Sequence, residues 1–65
     1  MKFKECDTVK IMKDYDEGSK KGEIGVVIMV FEKPNEAYEV EVLDEDGCVK
    51  TQCTLLPEEL ELVLW

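Results

Sequence analysis

The chain has no histidine and no arginine; its 8 basic residues are all lysine. Without histidine it lacks the side chain that titrates near neutral pH and the usual neutral zinc ligand. Without arginine it lacks the planar fork that grips phosphate bidentately. Aromatic residues make up only 8% of the 65 positions, and proline occurs twice. No apolar run approaches the roughly 20 residues of a membrane-spanning helix, and Met1-Lys2-Phe3-Lys4-Glu5 offers no apolar segment for a signal peptide. These absences predict a cytoplasmic protein without membrane contact. Cysteine is also sparse. Cys6, Cys48 and Cys53 are odd in number and lack metal-ligand spacing. On one extended strand Cys48 and Cys53 point to opposite faces and cannot bridge, so reduced structural thiols are expected. No metal and no cofactor are expected.

What is present is acid. Sixteen Asp and Glu residues leave a net charge of −8. Such a surface repels phosphate backbones, which disfavours nucleic acid, and its natural complement is a basic protein reached by electrostatic steering. Hydrophobic residues at 45% are ordinary for a globular domain. A single domain over residues 1–65 is expected, close to the lower size limit for a chain that folds without metal or disulfides.

Asp7 to Met12 alternates polar and apolar residues and predicts a half-buried strand with Val9 and Ile11 inward and Phe3 as a lid ahead of it. Residues 13–21 are polar, aperiodic and glycine-containing, hence a loop. Gly22-Glu23-Ile24-Gly25 then opens the longest apolar run, ending at Phe31. A β-branched strand follows the glycines instead of a helix, which argues for a turn with close backbone approach and against a phosphate cradle. Ile24, Val26, Ile28 and Val30 are assigned to the core, and Val27, Met29 and Phe31 to the opposite face. After a turn at Pro34-Asn35, Tyr38, Val40 and Val42 alternate inward with Glu39 and Glu41 outward. Asp46-Gly47 supplies a tight turn, and Val49, Thr51, Cys53 and Leu55 line one face of the returning strand. Pro57-Glu58-Glu59 suits a single 3₁₀ turn. A last strand follows, with Leu60, Leu62 and Leu64 inward and Val63 and Trp65 opposite. The expected fold is all-β: a small five-stranded SH3-like barrel with a one-turn 3₁₀ helix before the last strand.

Lys21-Gly22-Glu23-x-Gly25-x-Val27 followed by Ala37-Tyr38-Glu39-Val40-Glu41-Val42 and Asp46-Gly47 resembles the DUF4926 family of small, mainly bacterial proteins. The likeness covers nearly the whole chain. It implies an SH3-like barrel and carries no assigned activity or catalytic residue. The Gly-x-x-Gly-x-Val segment is also similar to KOW modules, which would imply RNA or ribosome contact, but their basic character is missing here. The small β domain of nitrile hydratase subunits and their activators is similar in expected fold alone.

No catalytic constellation emerges. Ser19 and the cysteines have no histidine partner, and a small filled barrel leaves little room for a carboxylate pair in a cleft. Asp44-x-Asp46-Gly47 starts like a calcium loop but lacks its later ligands. A non-enzymatic protein-binding module is therefore expected, of the kind an antitoxin or immunity protein represents when it masks a basic partner. The candidate contacts are Asp14, Tyr15, Asp16 and Glu17 in the long loop, Glu39 and Glu41 on the strand, Asp44, Glu45 and Asp46 in the turn, and Trp65. The competing readings are a merely solvated surface and a structural or homo-oligomerising domain. The latter would join through Val27, Met29 and Phe31 or through Val63 and Trp65.

Overall fold

A computed structural model describes residues 2–17 and 19–64. Five strands, β1 (Thr8–Ile11), β2 (Ile24–Phe31), β3 (Ala37–Leu43), β4 (Val49–Leu55) and β5 (Leu60–Leu62), form one antiparallel sheet in the order β4-β3-β2-β1-β5. A 3₁₀ turn, Pro57–Glu59, leads into β5. The all-β class, the five strands and the 3₁₀ turn agree with the sequence. Among the described residues no ladder joins β4 to β5, so the two edges of the sheet are not paired with each other.

The core gathers Phe3, Val9, Ile11, Val27, Tyr38, Val40, Val42, Cys53, Leu55 and Leu60. Phe3 closes one end, as the sequence suggested. Its ring meets Tyr38 edge-on with centroids 5.2 Å apart, and its backbone N–H donates to the Tyr38 hydroxyl at 3.0 Å. That hydroxyl donates in turn to Glu36, which also accepts the Lys2 N–H. The polar end of a fully buried tyrosine is thus satisfied on both sides, as burial requires.

β2 corrects the facing read from sequence. Gly25 and Val27 are buried, whereas Ile24, Val26 and Ile28 are only half-buried. The ladder with β3 slips between Val27 and Met29, which leaves Ile28 as the extra residue of a β-bulge. Beyond it Met29 and Phe31 face outward and Val30 packs against the core. One inserted residue therefore reverses the assignment of Val27 and preserves that of Val30, Met29 and Phe31. A second slip, between Val42 and Leu43, leaves Lys50 unpaired in β4. It turns Val49 out to 54% exposure, although Cys53 and Leu55 are buried as expected. In the last strand only Leu60 is buried; Leu62 is 41% exposed on this three-residue edge strand, and Leu64, past the strand's end, is 84% exposed.

The two glycines of the opening motif serve different ends. Gly22 has φ +96° with open space around its α-carbon, so it supplies the left-handed turn into β2. Gly25 sits where β3 approaches closely: an added Cβ would lie 2.5 Å from a Val40 methyl carbon and 2.8 Å from the Glu41 carbonyl oxygen. The close approach expected from the sequence is at this second glycine.

Candidate binding surface

The described residues of the loop between β1 and β2 carry their own hydrogen bonds. Asp16 and Ser19 form an isolated antiparallel bridge, and the Ser19 carbonyl accepts the N–H of Tyr15 at 2.7 Å. The Asp14 carboxylate accepts the Lys21 N–H at 3.0 Å. The loop base is tied by Gly22 N–H to the Ile11 carbonyl at 2.7 Å and by Met12 N–H to the Glu59 carbonyl at 2.9 Å. Ser19 is fully buried, and its hydroxyl has no hydrogen-bond partner of normal geometry. It lies against the Cys53 thiol, whose pKa is raised, chiefly by burial. The loop thus folds over the inner side of β4 and holds Asp14, Tyr15, Asp16 and Glu17 on the exposed outside.

Lys13 pairs with Glu59 at 2.6 Å across the loop base. Its pKa is raised by the hydrogen bond and charge of Glu59. Burial pushes Glu59 up, but the Leu56 N–H and the Lys13 ammonium together hold its carboxyl below the usual range. The same Glu59 side chain, at the third position of the 3₁₀ turn, accepts the Leu56 N–H at 2.8 Å and so anchors that turn.

The remaining acids follow β3 to its end. Glu39 and Glu41 face outward and are half-buried between neighbouring strands. Glu39 accepts the Thr54 hydroxyl at 2.5 Å. Asp44 is spent on its own turn: Oδ1 accepts the N–H of Asp46 at 2.9 Å and of Cys48 at 3.0 Å. This turns Gly47 through φ +83° and leaves the Glu45 and Asp46 carboxylates exposed at the tip. Sequence-predicted Trp65 lies outside the described residues. The predicted acids therefore fall into two groups, one on the β1–β2 loop and one along β3 into its turn.

A feature the sequence did not announce joins the second group. An open groove of about 760 Å³ runs between residues 22–24 and residues 43–47, with Lys50 on its rim. Its lining is mostly carbon, from half-buried Ile24 and Leu43 on adjacent strands, and Glu45 and Asp46 border it. Lys50, turned out by its bulge, crosses to Glu23. Glu23 is held below the ordinary glutamate range by that lysine and by the Lys20 N–H. Only the β2–β3 register brings Ile24 beside Leu43, so no local spacing could have shown this groove.

The comparisons agree with the motif reading. The profile of the domain of unknown function DUF4926 matches residues 5–62. The chain belongs to that family. The match runs from just before β1 through the end of β5, so the family's extent coincides with the whole sheet. No curated protein and no solved structure matches the chain. Among the described residues no three or more Cys, Asp or Glu side chains are grouped to hold a metal ion, and no helix is long and apolar enough to cross a membrane.

Proposed function

We propose that this DUF4926 chain is a non-enzymatic, cytoplasmic binding module that docks on a basic protein partner, in the manner of an antitoxin or immunity protein masking a toxin. The observation that carries the reading is the disposition of the acids. The ordered loop carries Asp14, Asp16 and Glu17 outward, and the strand and turn carry Glu39, Glu41, Glu45 and Asp46 outward, within a molecule of net charge −8. A surface with a large excess of one sign of charge gives fast, steered association and suppresses acidic competitors. Tyr15, 48% exposed on the loop, is the aromatic anchor beside these acids.

The test is capture of a stoichiometric partner from the protein's own cells with the tagged chain, at low salt and again at about 0.5 M salt, where the screening length is only a few ångströms. A basic protein that is retained at low salt and weakened at high salt supports masking. Absence of any stoichiometric partner, together with no complex on co-expression with the adjacent reading frame, overturns it. A second reading rests on the exposed Leu62 and Leu64 at the β5 edge, which suit a homo-oligomer. A dimer in size exclusion that persists in high salt would favour it.

A further inference from the structure

The groove between residues 22–24 and 43–47 has two properties that belong to different ligands when taken separately. Its floor is carbon, from Ile24 and Leu43, and its border is acidic. The lining contains four carboxylates against one lysine, a net of −3. Two of the four are already engaged. Glu23 holds Lys50 and the Lys20 N–H, and Asp44 holds its own turn. Glu45 and Asp46 are exposed, and among the described residues no side chain is hydrogen-bonded to or paired with either carboxylate. An apolar ligand would leave those two carboxylates facing it without compensation, and an anion would be repelled. A compact metal ion would gain nothing from the carbon floor. The ligand that uses both surfaces is a long aliphatic stem ending in a cation.

We infer that the groove is the seat of an arginine or lysine side chain presented by the basic partner, with its methylenes on Ile24 and Leu43 and its charged head between Glu45 and Asp46. The inference rests on the proposed function and narrows it to one contact. The groove is open along its length, which suits a side chain offered by a macromolecule better than an enclosed small molecule. The Asp44 turn shapes one wall, and the Gly22 turn with the Lys50–Glu23 pair shapes the other.

The test is a ¹⁵N chemical-shift titration of the full chain with hexa-arginine and hexa-lysine peptides at about 20 mM salt, where charge acts over ~20 Å. The expected result is saturable shifts concentrated in residues 22–24 and 43–50. Replacing Glu45→Gln and Asp46→Asn together should weaken binding about five- to tenfold, as loss of two exposed charge contacts implies. Glu32→Gln with Glu61→Gln changes the net charge equally at exposed sites outside the groove and should weaken it clearly less, because neither carboxylate touches the seated side chain. Binding with shifts on residues 14–17, or equal weakening by both variant pairs, overturns the groove while leaving an acidic docking module standing. No binding of either peptide overturns the groove and counts against the module. Shifts at the groove that appear on concentrating the protein alone would assign it to a second copy and overturn the inference.

Discussion

Replacing Gly25 by alanine tests the close approach of β3 to β2 at this position. The new Cβ would sit 2.5 Å from the Val40 methyl and 2.8 Å from the Glu41 carbonyl oxygen. Ordinary carbon contacts lie at about 3.5–4.0 Å, so the first overlap is about 1 Å. Val40 is fully buried and β-branched, hence confined in χ1, and the Glu41 carbonyl belongs to the backbone of β3. Neither yields without moving the strand. Overpacking of this kind costs about 1–3 kcal/mol, and the backbone contact puts Gly25→Ala in the upper half, about 2–3 kcal/mol. A 65-residue domain has roughly 3–10 kcal/mol in total, so the loss is large. It corresponds to a fall in Tm of about 10–20 °C. Gly22→Ala, with open space but φ +96°, should cost about 1–2 kcal/mol, from backbone strain alone. Urea unfolding followed by far-UV circular dichroism measures both. Val40→Ala removes the nearer contact but not the carbonyl, so Gly25→Ala should cost about 1 kcal/mol less in that background. Should Gly25→Ala prove within about 0.5 kcal/mol of the parent, or its cost be unchanged by Val40→Ala, the close approach of β3 to Gly25 is refuted.

Tyr38→Phe leaves the buried Phe3 N–H without its acceptor and should cost about 1–2 kcal/mol in the same assay, whereas Lys50→Ala, which breaks a partly exposed pair, should cost less than about 0.5 kcal/mol. Thiol titration of the native protein should count Cys6 and Cys48 at once and Cys53 only on unfolding; three fast thiols would contradict its burial. Glu23, Glu36 and Glu59 are all held below the ordinary glutamate value of 4.5. Their contribution is complete above that value and is lost as pH falls through the lower native values, so the Tm should drop on acidification below about pH 4.5. Added salt at pH 7 should raise the Tm, because the net charge of −8 repels itself; a fall would mean that the few ion pairs outweigh that repulsion.

The alternation of Tyr38, Val40 and Val42 with two glutamates was legible because each wrong phase would bury charge. The run from Ile24 to Phe31 was not, since both phases are apolar and neither penalises a slip. The bulge at Ile28 therefore left no trace in the pattern, and the one at Lys50 was hidden because threonine and glutamine tolerate either face. The order of the β1–β2 loop was illegible for another reason. It comes from backbone bonds to Ser19 and from burying that serine against Cys53, and composition encodes neither. The candidate acids were chosen from charge alone. The groove was missed because its two walls meet through strand register.

The pairing of Val9 with Leu62 and Ile11 with Leu60 has a mechanical consequence. β1 and β5 run antiparallel, so the start of β1 and the end of β5 lie at the same end of their shared ladder. Tension applied through residues 8 and 62 peels the two strands apart one pair at a time instead of shearing all their hydrogen bonds together. The β2–β3–β4 meander carries the longer ladders and lies outside that first line of force. A pull along the chain should therefore open the molecule at β5 under low load, while the acidic turn and the groove beside it keep their shape.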